Sequence, residues 1–366
     1  MWWRAGTVRA VVRSWRGAVE LTVAVDRDPG GGPAELPALA YPALVGTPRP
    51  GDRVLLNASA LALGLGTGGY ALVVALPDRL PADPAGGHGR YGHLVKARYT
   101  PLQTVVAGVD EPDSPHHPVL ADADDLAGLP VVTADLHSAL PAILAGAHAD
   151  APAARVAYLM TDGGALPAAF SRTLDALADA LAGVVTVGQA FGGDLEAVSL
   201  HTGLLAARHV LHADLAVVTQ GPGNLGTGTR WGFSGVATGE AINAAAVLGG
   251  RPVGALRISA ADPRPRHRGV SHHSLTGYGR VALAGADLVV PDRLADDLPP
   301  ELAAEVAAAL GRLPDRHRLV TVATEGLDAA LRASPATLSS MGRGLDADHP
   351  YFLANAAAGR HAAALL

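Results

Sequence analysis

The residues best suited to chemistry stand just after apolar runs. Asp135, His137 and Ser138 follow the run 131–134, and Thr161, Asp162, Gly163 and Gly164 follow the run 156–160. Gln189 opens the stretch Gln-Ala-Phe-Gly-Gly-Asp194 after the run 184–187, and Gln220 leads from the run 215–218 into Gly221-Pro-Gly-Asn-Leu-Gly-Thr-Gly228, with Thr229 and Arg230 beyond. Strands buried in a parallel sheet share one edge at their C-terminal ends, so polar turns that follow such runs converge on one crevice. A Gly-rich turn there leaves backbone N–H groups free to meet an anion. Gly221, Gly223, Asn224, Gly226, Thr227, Thr229 and Arg230, with Gln220 and Gln189, are therefore the expected contacts to a phosphate, nucleotide or carboxylate. The alternative is a tight turn that lets the next helix pack closely.

Gly221 to Gly226 also satisfies GxGxxG, but it follows the fourth buried run, Pro222 removes an N–H, and no acidic residue ends the next strand. A dinucleotide is not expected on those grounds. GxxxxGK[ST] is absent, so P-loop nucleotide hydrolysis is not indicated.

For proton transfer the candidates are His137, positioned by Asp135 or Asp162, because imidazole titrates near neutrality. A Ser138–His137–Asp135 relay is set aside, since neighbours at a strand end seldom face one another and no GxSxG elbow occurs. Asp135, His137, Asp162, Asp194, His272 and His273, with Glu196, His201 and Glu240, could supply ligands to a divalent metal, although their spacing matches no signature such as HExxH. Asp194 and Glu196 could equally offset the dipole of a following helix. Lys96 is the lone lysine among 28 basic residues. It is either a catalytic group that must lose a proton or form a Schiff base, or a chance survivor packed on a strand. Arg264-Pro-Arg-His-Arg268 before Ser271-His272-His273-Ser274 either closes over an anion or is a solvated basic turn; Arg343 could add a phosphate contact.

The elements that position these residues fall into two kinds. Up to about Asp110, short Val- and Leu-rich runs at 5–13, 18–26, 53–57, 70–76, 94–99 and 104–109 alternate with Gly, Pro and Asp breaks, the pattern of a small antiparallel barrel or sandwich. Residues 78–92 read as a loop and 111–118 as the connection, giving an N-terminal β-rich domain 1–118 and an α/β ligand-binding domain 119–366. From about Pro130, continuous apolar runs, including 253–258, 288–290 and 319–322, alternate with helical stretches at 166–181, 195–211 and 233–248. The expected fold class is α/β, a mostly parallel, open doubly wound sheet preceded by the β domain, with a β/α barrel as the alternative. Lys96 would then help close the crevice from the N-terminal side.

Composition narrows the partners. A net charge of -6 and a pI near 6.2 create no bulk field toward nucleic acid or anionic lipid, and with no cysteine, disulfides, thiolate zinc and thiol nucleophiles are excluded. Residues 54–77 carry no charge, but Leu63-Gly-Leu-Gly-Thr-Gly-Gly69 interrupts them, so a hairpin is expected rather than a membrane span. The N-terminus shows no signal-peptide pattern and a cytoplasmic setting is expected. The partner is a small anionic molecule; the oligomeric state is not readable.

The blocks GDRVLLNASALALGLGTGGY, GHLVKARYTPLQ, MTDGGALP, GQAFGGDLEAV, QGPGNLGTGTRWGFSGV, SHHSLT and MGRGLDAD together cover most of the chain. In them the chain resembles a family of uncharacterised bacterial proteins catalogued as a domain of unknown function, family 3866. The resemblance implies no activity. From the residues, the leading expectation is an enzyme, a hydrolase or transferase acting on an anionic small molecule, with or without a divalent metal. A non-catalytic metabolite-binding protein and a structural protein with close-packing glycine loops are the alternatives.

Overall fold

The computed structural model describes residues 1–26, 34–66, 68–83 and 92–366. Much of the expected loop 78–92, and Thr67 of the expected turn 63–69, lie outside them. The chain divides into two compact units, Met1–Val106 with Ala169–Asp175, and Ala107–Ala168 with Ala176–Leu366.

In the first unit β1 (Trp3–Trp15), β2 (Ala18–Val25), β3 (Glu35–Ala40), β4 (Arg53–Asn57) and β5 (Ala71–Ala75) close into a barrel in the order β1-β2-β3-β5-β4. All pairs are antiparallel except β3 with β5. Period-two side chains fill it: Val19, Leu21 and Val23 from β2, Val54 and Leu56 from β4, Ala71 and Val73 from β5. The expected barrel is thus present, with two corrections. Strand β3 is not among the expected runs; it contains Pro37, which is tolerated where β3 meets β5 only through Ala38 and Leu39. The runs at 94–99 and 104–109 supply only β6 (Leu94–Lys96) and β7 (Thr104–Val106), a separate hairpin, and positive φ at Ala97 and Tyr99 ends the first of these.

The second unit is built on eight parallel strands. They are β8 (Pro130–Thr133), β9 (Val156–Thr161), β10 (Gly183–Thr186), β11 (Leu195–Glu196), β12 (Leu215–Gln220), β13 (Arg251–Ala255), β16 (Asp287–Pro291) and β17 (Arg318–Val322), in the order β11-β10-β9-β12-β8-β13-β16-β17. Between β13 and β16 the chain forms a small antiparallel hairpin of β14 (Ile258–Ser259) and β15 (Gly269–Val270). Every residue of β8 and β12 is buried, as continuous apolar runs covered on both faces must be. The sheet is open, so the barrel alternative falls away.

Helices α1 (Leu140–Asp150) and α4 (His349–Ala363) pack together, as do α2 (Leu200–His209) and α3 (Ala237–Val247). Both α3 and α4 lie against β8 and β13 from opposite faces. The chain therefore leaves β8 toward one face through α1 and leaves its neighbour β12 toward the other through α3. Adjacent strands whose connections part in this way open a crevice at their carboxyl ends.

The expected helices are shortened where side chains capture the backbone. The stretch 166–181 breaks into turns at Ala168–Phe170 and Ala178–Ala180 and a short helix Arg172–Ala176, and in the first turn the Trp15 indole donates to the Ala169 carbonyl at 2.7 Å. In 195–211 the helix begins only at Leu200, capped by Ser199; Leu195–Glu196 instead extends the sheet, and the Glu196 carboxylate accepts from Thr186 Oγ1 and Gly192 N at 2.7 Å. The stretch 233–248 begins with a tight turn, Ser234–Val236, before α3.

Reciprocal glycines set the spacing of α1 and α4. A Cβ on Gly146 would stand 1.8 Å from the Ala356 carbonyl oxygen, and one on Gly359 would stand 1.8 Å from that of Ile143. Gly359→Ala is expected to destabilise the protein by about 1–3 kcal/mol despite the better helix propensity of alanine, because backbone must move. Gly311→Ala, whose Cβ would meet atoms no nearer than 3.6 Å, is the control. Urea denaturation midpoints of both variants check this.

Candidate functional site

Asp135 and Gln220 leave β8 and β12 at the parting of the connections. The Gln220 side-chain amide donates to the Asp135 carbonyl at 2.7 Å and to Asn224 Oδ1 at 2.8 Å, and that oxygen also accepts from Ser234 Oγ at 2.8 Å. Gly235 lies against Asp135, with room for a Cβ only 3.1 Å from the Asp135 Cβ. A small cleft lined by Asp135, Thr161, Thr219, Gln220, Ser234 and Thr238 opens beside them.

The Asp135 carboxylate faces the segment after β13. Its Oδ2 is 2.8 Å from His273 Nδ1 and 3.4 Å from the guanidinium of Arg257, all three groups being buried. Burial pushes the Asp135 carboxyl up, but the hydrogen bond from His273 and the Arg257 charge outweigh it and hold the group below the usual carboxylate range. Arg257 also contacts the fully buried Asp262 at 3.3 Å, which is shared with Arg264 at 2.8 Å and Arg343 at 3.1 Å. Arg343 passes the network to Asp348, whose carboxylate accepts from Ser259 Oγ at 2.6 Å.

The hairpin of β14 and β15 returns the chain beside its own start, and Ser271 caps the short helix His272–Thr276. His267, His272 and His273 are thereby grouped, with one ligand-capable atom from each lying within 4.8 Å of the others. Ser271 Oγ is 2.8 Å from His267 Nδ1 and accepts from the His273 amide, tying the two segments together. Phe233 stacks on His273 at 3.8 Å between ring centroids and meets His272 edge-on. Burial, reinforced by neighbouring cations, pushes His267 down to about 3 and His272 to about 4, so both rings are neutral near pH 7. His272 Nε2 is buried and has no hydrogen-bond partner among the described residues.

Of the expected site residues, Asp135, His272, His273 and Gln220 meet here. His137 is buried nearby in a different network, its Nδ1 2.8 Å from the Tyr158 hydroxyl, which in turn contacts Thr219 Oγ1. Ser138 contacts Ser340 and Tyr351. Asp162 accepts from the Gln189 amide at 2.8 Å, clamping the turn at Gly188, and Asp194 accepts from Val184 N. His201 lies on α2 and Glu240 on α3. Lys96 is buried on β6 in the first unit.

In the glycine loop the amides of Gly221, Leu225 and Thr227 bond to Thr161 O, Ser234 Oγ and Gly232 O. A Cβ on Gly221 would stand 2.4 Å from the Ala165 carbonyl oxygen and one on Gly164 would stand 2.1 Å from that of Gly221, so close backbone approach requires these two glycines. Beyond them Gly223 and Gly228 adopt positive φ, and Gly228 lies beside the Arg266 guanidinium. Thr227 and Thr229 join their hydroxyls at 3.3 Å in this turn, with Arg230 exposed next to it.

His267, Arg257 and Asp262 were absent from the expected set. The first sits inside the 264–268 segment, expected either to close over an anion or to be a solvated basic turn, and its spacing of five residues from His272 is the signal that could have found it. Arg257 and Asp262 carry no local pattern; a buried arginine is visible only once a carboxylate is seen beside it.

The family model described as "Protein of unknown function (DUF3866)" matches residues 37–359. Neither a curated protein nor a solved structure matches the chain.

Burial alone holds His137 down to about 4, so in the fold it stays neutral while an unfolded imidazole gains a proton below about 6.5. The stability it supports is complete near neutrality and drains away as pH falls from the ordinary imidazole range toward 4. His137→Gln is expected to reduce the protons taken up on unfolding at pH 5 by about one, read from the slope of unfolding free energy against pH.

Proposed function

The chain belongs to the DUF3866 family of proteins of unknown function, and from that premise we propose that it is an enzyme acting on a small anionic molecule, a phosphate or carboxylate compound, at the carboxyl rim of the parallel sheet. One observation carries the reading: a buried, ionised Asp135 paired with His273 and Arg257 stands where the connections of β8 and β12 part. An open α/β sheet binds ligands at that place. Burying a carboxylate, an imidazole and a guanidinium together at a rim is costly unless the charges serve one another and a task.

The anion is met from the side of the glycine loop. Arg266 has no ion-pair or hydrogen-bond partner among the described residues, lies beside Gly228, and is close enough to His272 to depress its protonation. Thr227, Thr229 and Arg230 add hydroxyl donors and a second cation. The amides of Gly223, Gly226 and Gly228, which have no hydrogen-bond partner among the described residues, complete the donor set. A transferred or hydrolysed group placed between this turn and the imidazole cluster is polarised from one side while the buried, ionised Asp135, held by His273 and Arg257, stands on the other. Hydrolysis and group transfer both use this arrangement.

The test is a melting-temperature screen of the purified chain against inorganic phosphate and small phosphorylated and carboxylated compounds. A ligand near 100 times its Kd should raise Tm by roughly 2 °C or more. Arg266→Ala should abolish that rise without lowering the ligand-free Tm, and Asp135→Asn should slow turnover of the hit by about 100-fold or more. Hits that bind but are never consumed would favour a metabolite-binding protein, and a screen without hits would remove the anion from the reading.

A further inference from the structure

We propose that His267, His272 and His273 bind a divalent transition-metal ion of the imidazole-preferring class, such as Zn2+, with Asp135 as the carboxylate that orients His273 and an open coordination position left for water or substrate. The inference goes beyond the substrate proposed above and does not rest on it.

Three independent observations support the site. The first is convergence. Two residues adjacent in sequence and a third brought back by the β14–β15 hairpin place their ligand-capable atoms within 4.8 Å of one another. Nitrogens around a tetrahedral zinc are about 3.4 Å apart, a difference that small ring rotations cover.

The second is which nitrogens are already used. His273 Nδ1 faces the Asp135 carboxylate and His267 Nδ1 faces Ser271 Oγ, both at 2.8 Å. The Asp135 carboxylate can only accept, so it fixes the His273 tautomer and leaves Nε2 as the ligand, the arrangement that metal-bound imidazoles adopt, while Ser271 occupies His267 Nδ1 and leaves Nε2 available.

The third is the unmet nitrogen. His272 Nε2 is buried without a hydrogen-bond partner among the described residues, a state that ordinarily costs about 1–3 kcal/mol. A metal supplies the missing partner. Phe233, flat against His273, makes one wall apolar, and the Asp135–Arg257–Asp262 network behind the rings fixes the carboxylate rather than competing for the ion.

Three protein ligands distinguish a reactive ion from a structural one, which is closed by four. Bound water would lose its proton more readily and supply hydroxide to an electrophilic centre, the proton passing to solvent; the ion is neither oxidised nor reduced.

The experiment uses the full chain, stripped with a chelator and dialysed. Titration with Zn2+ in a calorimeter should give saturable binding of one ion per chain, and Co2+ should give the visible absorption of a low-coordinate nitrogen-and-oxygen site. His267→Gln, His272→Gln and His273→Gln should each abolish or severely weaken both signals, Asp135→Asn should weaken binding by about 10–100-fold, and His201→Gln should leave it unchanged. If a glutamine variant fails to fold, the unmutated chain still decides the matter: Zn2+ should raise its Tm and the chelator should reverse the rise. Absence of saturable binding by the unmutated chain, or binding undiminished in folded His267→Gln and His272→Gln variants, would overturn the site. These readouts need no substrate, so failure of the metal and failure of the proposed anion are separately visible.

Discussion

The rim of the second unit depends on burying three carboxylates, Asp135, Asp262 and Asp348, and meeting their charge with Arg257, Arg264 and Arg343. A carboxylate taken out of water without such partners would protonate or pull the fold open. Asp262 is the pivot: its side chain is fully buried, and three guanidinium groups reach it from residues 257, 264 and 343. Burial raises its carboxyl while the Arg264 hydrogen bonds and the neighbouring cations outweigh that effect and keep it ionised. Through Arg257 the same network reaches Asp135, and through Arg343 it reaches Asp348 just ahead of α4. The charge that sits beneath the histidines is thus anchored to a helix of the opposite face.

That anchoring makes the site a property of the tertiary structure rather than of a loop. The Asp135 backbone is held by Gln220 and its carboxylate by His273 and Arg257, so one residue is fixed from two strands at once. Asn224 gathers three donors, from Gln220, Ser234 and Gly235, and so fastens the glycine loop to the start of the segment that leads to α3. Phe233, immediately before that segment, is the ring that lies flat on His273. Asn224, Ser234 and Phe233 thus link the loop to the imidazole cluster through packed atoms.

Most of the architecture was legible because burial on both faces leaves a plain mark. Seven apolar runs became strands of the sheet, and polar turns at their ends marked the rim on which Asp135, Thr161 and Gln220 stand. What escaped was short or cross-chain. Leu195–Glu196 pairs with β10 where the Glu196 carboxylate reaches Thr186 and Gly192, and β3 is a strand despite Pro37 because on its other side β5 pairs only with Ala38 and Leu39. Charged partners separated by more than a hundred residues, such as Asp135 with Arg257 and with His273, have no periodicity to betray them. His137, the most conspicuous histidine in the sequence, stands with Tyr158 because adjacent positions at a strand exit turn to different surroundings.

The glycines carry a double meaning that local reading cannot separate. Gly164 and Gly221 exist for close approach, since a side chain on either would strike backbone, whereas Gly223 and Gly228 are chosen for backbone conformation at the loop's outer turn. The inner pair allows the exits of β9 and β12 to touch, which brings Gln220 to Asp135; the outer pair bends the loop back toward Arg266. A sequence records both as the same residue type. Only the first pair is required by packing, so the donors that the proposed reading offers to an anion lie in the loop's outer half, beside Arg266.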